Sequence, residues 1–284
     1  MIELLCVLAV LLSVIIGTAA FSFMSTIAYR YEKGLKLNDH FRCETCETRL
    51  KAAEVLPVIS YPLHKGRCKY CGEKLKVRDF LNEIVGGALA VFVFFRFGER
   101  GVIGDSFRLS SVLDVTIPMD IKKIAAIIII FSFFCIMDLV ILVDYDTMKI
   151  PDIFNIVLLV FAIASIFVVS GVGTLEHIIG AFVISLPLLV ITLVIPGAFG
   201  GGDIKLSAVA GLFLGWKLSL MGFLLGLLFG GIYGIFTMAS KKLKKGEHFS
   251  FGPFLGVGYM LALICGMDII NGYLSFASHL MGRS

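Results

Sequence analysis

Long apolar runs, separated by short polar segments, are the feature that most limits what this chain can fold into. Of the 284 residues, 58% are hydrophobic and 16% charged, whereas a soluble domain has about half and about a quarter. Several runs approach the roughly 20 residues that an α-helix needs to cross a bilayer. Bilayer-spanning segments must satisfy their backbone hydrogen bonds internally, so continuous runs indicate helices and not barrel strands. The sequence therefore predicts an all-α polytopic membrane protein.

The apolar runs predict about eight transmembrane helices. Their expected bounds, in chain order, are 4–29, 80–97, 121–143, 153–170, 175–195, 204–216, 218–239 and 254–274. The run 204–216 is short for a crossing, because a helix rises about 1.5 Å per residue. The first run has no basic leading region and no Ala-x-Ala-like site, which indicates a retained helix and not a cleaved signal.

The charges of the loops predict the orientation. The segment 30–79 carries twelve Lys and Arg residues, and 241–245 reads Lys-Lys-Leu-Lys-Lys. Cytoplasmic loops are enriched in these residues, and with eight spans both segments lie in the cytoplasm when both termini lie outside. The net charge of +4 is modest and gives no support to nucleic-acid binding.

Four of the seven cysteines form two Cys-x-x-Cys pairs in the polar segment between the first two predicted helices. They are Cys43, Cys46, Cys68 and Cys71, with 21 residues between the pairs. This pattern is typical of a tetrahedral zinc site. Two disulfides are the alternative, which a reducing cytoplasm disfavours. Because four thiolates leave no coordination position open, the expected metal is structural.

Two aspartates stand where an apolar segment meets a membrane boundary. Asp203 follows three glycines, 200–202, and Asp144 follows the predicted helix 121–143. A carboxylate at such a position is costly, so its default interpretation is functional. The glycines permit unusual dihedral angles and the close approach of another backbone. Two neighbouring carboxylates share a proton, so one can activate water while the other polarises a scissile carbonyl.

The acids also have plainer interpretations. Asp203 suits a cap of the following helix with Lys205 as its salt partner, and Asp146 and Asp152 suit loop or N-cap positions. Asp138 suits a packed polar residue. Two other functions remain open. A proton-coupled transporter would place ionisable groups along a path across the bilayer, not at one face. A non-catalytic scaffold would use the cysteine insert and would not need both aspartate motifs.

The motifs, in this order, resemble those of the bacterial type IV prepilin peptidases, which are intramembrane aspartic proteases of the GxGD kind. Residues 144–152 match the family's Asp-x5-[Leu/Ile]-Pro-Asp, and residues 200–206 match Gly-x-Gly-Asp-x-Lys-Leu. The run Phe-Gly-Pro-Phe-Leu at 251–255 and the double Cys-x-x-Cys insert match too, as does an Arg78…Glu83 pair entering the second helix. The resemblance covers nearly the whole chain.

The resemblance implies the site residues. The catalytic pair is Asp144 and Asp203. The residues expected to bind substrate or shape the site are Gly200, Gly201, Gly202, Lys205, Pro151 and Asp152. The implied domains are a first helix at 1–29, a zinc insert at 30–79 and a membrane-embedded protease at 80–284.

The resemblance also implies the reaction. The family removes the short basic leader of a prepilin or pseudopilin after a glycine, at the cytoplasmic face of the bacterial inner membrane. The cysteine insert accompanies the bifunctional form, which then methylates the new N-terminal amine with S-adenosylmethionine. The expected partners are therefore the prepilin substrate and membrane lipid, with zinc and S-adenosylmethionine as cofactors.

Overall fold

The structure is a computed structural model that describes residues 2–36, 42–43, 45–50, 54–98, 121–169, 171–240, 250–280 and 282. Within these ranges the chain is helical, apart from loops and two isolated antiparallel bridges in the cysteine insert. The helices are α1 (Ile2–Lys33), α2 (Ser60–Leu63), α3 (Val77–Gly98), α4 (Ile121–Thr147), α5 (Asp152–Val168), α6 (Thr174–Val183), α7 (Ser185–Val194), α8 (Gly201–Ala239) and α9 (Gly252–Leu280). The basic cluster 241–245 lies outside the described residues.

The predicted spans appear in this helix order. Within the described ranges, six helical stretches are long and apolar enough to cross a membrane: α1, α3, α4, α6 with α7, α8 and α9. The apolar helix α5 has 17 residues. Helix α8 has 39 residues, about twice the number that spans a bilayer, and Gly215 interrupts it with φ 77° and ψ 167°. With α5 and the two parts of α8 there are eight apolar segments, so the predicted all-α membrane architecture is confirmed.

Contacts divide the chain into two units, residues 1–94 and 95–284. In the first unit, α1 packs on α3 at glycines. A Cβ added to Gly17 would lie 2.6 Å from the Cβ of Ala90, and one added to Gly87 would lie 2.9 Å from Thr18 Cγ2. Phe21 is fully buried beside Gly86. The cysteine insert, 34–76, connects these two helices. The predicted three-domain division stays a prediction.

In the second unit, glycines let α8 and α9 approach closely. A Cβ on Gly222 would lie 3.0 Å from the Cα of Tyr259, and one on Gly226 would lie 2.9 Å from the carbonyl oxygen of Phe254. Small residues at such spacing are how membrane helices gain close packing. Helix α4 is buried along most of its second half, and Phe133 stacks on Phe213 of α8 at 4.4 Å. This packing brings the end of α4 to the beginnings of α8 and α9.

Candidate active site and metal centre

Asp144 lies in the last turn of α4 and is only 4% exposed. Met148 closes the turn with a left-handed φ of 54°, and its N–H donates to the Asp144 carbonyl at 2.8 Å. The hydroxyl of Ser250 donates to the Asp144 carboxylate. A Cβ added to Gly252 would collide with that carboxylate, 2.9 Å from its Cγ. The beginning of α9 therefore encloses Asp144, and glycine is the residue that fits there.

Asp203 lies in the first turn of α8 and is 9% exposed. Its Oδ2 accepts a hydrogen bond of 3.3 Å from the N–H of Gly200, the N-cap residue. The capping interpretation is thus correct for the backbone. The interpretation of Lys205 as the partner of Asp203 is wrong, because Lys205 Nζ contacts Asp152 Oδ1 at 2.7 Å. This exposed pair links the beginning of α5 to the beginning of α8.

The two aspartates converge around Ile150. A Cβ added to Gly202, which precedes Asp203, would lie 2.9 Å from Ile150 Cβ. A Cβ on Gly252, beside Asp144, would lie 3.1 Å from Ile150 Cδ1. The Asp144 carboxylate is near enough to act electrostatically on Asp203. The structure therefore brings the two predicted aspartates together at one end of the second unit.

The remaining predicted residues surround this pair. Pro151 is the N-cap of α5, with φ −62°, and Asp152 begins that helix on the surface. Gly201 faces open space, since no atom lies within 4 Å of a Cβ built there. Asp146 is half-buried near the end of α4, whereas Asp138 is buried two turns before Asp144.

Sequence reasoning missed Ser250 as a partner of Asp144. The two residues are 106 positions apart. The run at 251–255 matched a family motif next to Ser250. A linear pattern does not show, however, which carboxylate the residues of that segment contact. Ile150 matched the [Leu/Ile] position of the family motif, but an apolar residue before a proline does not indicate that it packs against Gly202 and Gly252.

The four predicted zinc ligands form one cluster. Their Sγ atoms lie within 4.8 Å of one another, and those of Cys43 and Cys71 are 3.7 Å apart. A tetrahedron with Zn–S bonds of about 2.3 Å separates its sulfurs by about 3.8 Å. A disulfide needs about 2.05 Å, and these cysteines are free thiols. The cluster therefore suits a metal ion and does not contain the two disulfides of the alternative.

Each cysteine pair lies in a tight turn of the same design. The N–H of Cys43 donates to the carbonyl of Thr48 at 3.0 Å, and the N–H of Cys68 donates to that of Glu73 at 2.8 Å. The residue after each second cysteine is left-handed, with φ 52° at Glu47 and 74° at Gly72. The two turns present their thiols to a common centre.

The thiols differ in acidity. Hydrogen bonds from Thr48 lower the pKa of Cys46 to about 6, and the N–H of Cys71 lowers the pKa of Cys68. A backbone hydrogen bond from Glu73 also lowers the pKa of Cys71, but burial and the neighbouring thiols outweigh it and raise that pKa to about 12. Clustered thiolates need a cation to compensate their charge, so metal binding here releases protons.

Comparisons with known proteins assign the chain to a family. Residues 15–97 match the bacterial peptidase A24 N-terminal domain, and residues 127–235 match the type IV leader peptidase family. The first match includes all four clustered cysteines, and the second includes both aspartates.

Curated relatives agree with these matches over most of the chain. The prepilin leader peptidase/N-methyltransferase of Bacillus subtilis is 28% identical, over 83% of this chain and 85% of the relative. The proteins of that name in Pseudomonas putida and Pseudomonas aeruginosa are 24% and 23% identical, over 91% and 94% of each chain. No solved structure matches. The resemblance found in the motifs is confirmed: the chain carries a bacterial peptidase A24 N-terminal domain at residues 15–97 and a type IV leader peptidase domain at residues 127–235.

Proposed function

We propose that this chain is an intramembrane aspartic endopeptidase that removes the short basic leader of a prepilin-like protein after a glycine and then methylates the new N-terminal amine. The observation that carries the proposal is the convergence of two buried carboxylates, Asp144 and Asp203, at one end of a helical membrane unit. The names of the relatives, prepilin leader peptidase/N-methyltransferase, support a prepilin substrate and both reactions. The site is proposed to face the cytoplasm of a bacterial inner membrane.

The two aspartates suit acid–base hydrolysis of a peptide bond. Buried like charges cannot both ionise easily, so the pair holds one proton. The ionised carboxylate takes a proton from water as the water oxygen attacks the scissile carbonyl carbon. The protonated carboxyl donates to the carbonyl oxygen. The Ser250 hydroxyl fixes the orientation of Asp144, and the Gly200 N–H fixes that of Asp203.

The glycines before Asp203 have separate roles in this proposal. Gly202 is packed against Ile150, so its missing side chain permits the fold of the site itself. Gly201 faces open space one residue away, which suits the approach of an unwound substrate backbone. The apolar segment of the substrate would remain among the membrane helices, with its basic leader in the cytoplasm.

The four thiols are proposed to hold a structural zinc ion. The tetrahedral spacing of the sulfurs and their closed set of four support this role. S-adenosylmethionine would supply the methyl group.

Cleavage of a prepilin-like substrate by the purified protein tests the peptidase proposal. Wild type is expected to cut after the glycine, whereas Asp144→Asn and Asp203→Asn are expected to lose cleavage. Asp268→Asn, at a half-buried acid just past the middle of α9, serves as the matched control and should remain active. Mass spectrometry of the product N terminus adds a gain of about 14 Da, one methyl group, with S-adenosylmethionine. Cleavage that survives either active-site substitution would refute the assigned pair.

A further inference from the structure

A cavity of about 540 Å³ lies within the first unit, between α1, α3 and the cysteine insert. Small-molecule sites commonly have about 300–1,000 Å³. The zinc cluster borders the cavity through Cys43, and the other walls come from α1, α3 and further parts of the cysteine insert, including the segments 54–61 and 73–76. The proposed peptide hydrolysis involves none of these residues.

Fixed carboxylates form one part of the wall. The side chain of Glu54 is 7% exposed, accepts hydrogen bonds from the Tyr70 hydroxyl at 3.1 and 3.2 Å, and pairs with Lys69 at 3.5 Å. Glu83 accepts a hydrogen bond of 2.6 Å from the N–H of Val58. Carboxylates held in this way suit the hydroxyl groups of a sugar or a cationic centre of a ligand.

Aromatic and basic groups form another part of the cavity wall. Tyr61 stacks on Phe80, with ring centroids 4.5 Å apart and planes 16° apart, which gives a rigid aromatic wall. Arg30 lines the cavity and is 6% exposed. A guanidinium recognises carboxylates with two parallel hydrogen bonds. Lys76 lies over the ring of Tyr29 at 5.5 Å, at the same cavity.

We propose that this cavity binds S-adenosylmethionine, an inference that rests on the methylation part of the proposed function. The ligand carries a purine ring, a ribose diol, a sulfonium, an ammonium and a carboxylate. The Tyr61–Phe80 wall suits the purine, the carboxylates of Glu54 and Glu83 suit the diol and the cationic groups, and Arg30 suits the carboxylate. Each chemical part of the ligand thus has a counterpart in the wall.

The basic leader of the substrate is the competing occupant, since it would also be attracted to carboxylates. The lining has both signs of charge, with five carboxylates and four cations: Glu47, Glu54, Glu73, Asp79 and Glu83, and Arg30, Arg42, Lys74 and Lys76. A run of lysines and arginines would meet these like charges, whereas a ligand with both signs of charge meets a partner for each.

Equilibrium dialysis of radiolabelled S-adenosylmethionine against the zinc-loaded, full-length protein tests the inference without a reaction. Glu83→Gln removes the charge but keeps an acceptor for the Val58 N–H, and Thr26→Phe fills the cavity from α1. Each is expected to weaken binding about tenfold or more, because Glu83→Gln removes a charged acceptor for the ligand and Thr26→Phe occupies the volume that the ligand needs. The matched control is Glu32→Gln, a residue of α1 outside the cavity that pairs with Lys33.

Zinc content and prepilin cleavage establish that the variants are folded, and cleavage should stay within about twofold of wild type. Binding weakened in both cavity variants and retained in Glu32→Gln supports the inference. Unchanged binding in both cavity variants overturns it. Failure of an active wild-type peptidase to bind S-adenosylmethionine also overturns it, and leaves the peptidase proposal intact. If the protein binds S-adenosylmethionine through this cavity but does not cleave prepilin, the peptidase proposal is refuted and the binding inference stands.

Discussion

At the scale of single residues, the position of the Asp144 carboxylate depends on the absence of a side chain at Gly252. A Cβ at that position would collide with the Asp144 carboxylate and lie 3.1 Å from Ile150 Cδ1. Neither neighbour can retreat easily, since Asp144 is buried and Ile150 also packs on Gly202. The geometry of the Asp144 carboxylate therefore depends on a glycine that has no chemistry of its own.

We expect Gly252→Ala to lower the rate of prepilin cleavage about 100-fold, because displacement of a catalytic group by about 1 Å has a cost of that order. Gly272→Ala in the same helix is the control, since a Cβ there meets nothing within 4 Å. Both variants should purify as folded, zinc-loaded proteins. Full activity of Gly252→Ala would mean that the Asp144 carboxylate is not held in the position described.

Gly201 offers a complementary prediction about the substrate. Because a side chain there enters open space, Gly201→Leu should leave thermal stability nearly unchanged and hinder an approaching peptide. We expect the KM for prepilin to rise about tenfold, a loss of uniform binding, with a smaller change in kcat. Gly231→Leu, on an open face of α8, is the control. An unchanged KM would place the substrate backbone elsewhere.

At the scale of elements, α8 shows how a single residue divides a long helix. Gly215 has φ +77°, and a Cβ there would lie 2.8 Å from Val172 Cγ1. The sequence predicted two separate spans at this place, 204–216 and 218–239, but it did not identify Gly215 as the interruption. A glycine inside an apolar helix gives no such signal without knowledge of its neighbours.

Gly215→Ala should lower the free energy of unfolding by about 2 kcal/mol, the sum of a left-handed alanine and a close contact. Gly231→Ala, in the regular second part of α8, should instead stabilise the helix by about 0.5–1 kcal/mol. Thermal unfolding in detergent or lipid nanodiscs measures both. Equal melting temperatures for the two variants would contradict the kink.

The two cysteine turns give a second test of backbone geometry. Gly72 and Glu47 occupy equivalent left-handed positions, yet only one is glycine. Gly72→Val forces a β-branched residue into that region and should weaken zinc binding about tenfold, a cost of about 1–2 kcal/mol. Glu47→Gly should be close to neutral. Competition with a zinc chelator measures the affinities. If Glu47→Gly weakened zinc binding more than Gly72→Val, the proposed turn geometry would be contradicted.

At the scale of the whole molecule, the features predicted well from the sequence are those with a local or periodic signal. Apolar runs predicted the helices, and the paired Cys-x-x-Cys spacing predicted the cluster that the structure forms. Contacts between distant segments had no such signal. Ser250 meets Asp144 across 106 positions, and Lys205 pairs with Asp152 of another helix and not with the nearby Asp203. Long-range pairing depends on which helix ends meet, and that is decided by packing.

Each of the two units carries its own candidate site, with the cysteine cluster and the cavity in residues 1–94 and the aspartates in 95–284. Removal of the proposed zinc ion would deprive the four clustered thiols of their common partner, and the turns around them would lose a large part of their folding free energy. Since Cys43 lines the cavity, chelation should weaken S-adenosylmethionine binding about tenfold or more.

Prepilin cleavage should fall by no more than about threefold after chelation, because the aspartates are held by Ser250 and by glycines of their own unit. Equilibrium dialysis and cleavage assays on the same chelated sample measure the two effects, with zinc added back as the control. Equal loss of both activities would show that the peptidase site also depends on the metal.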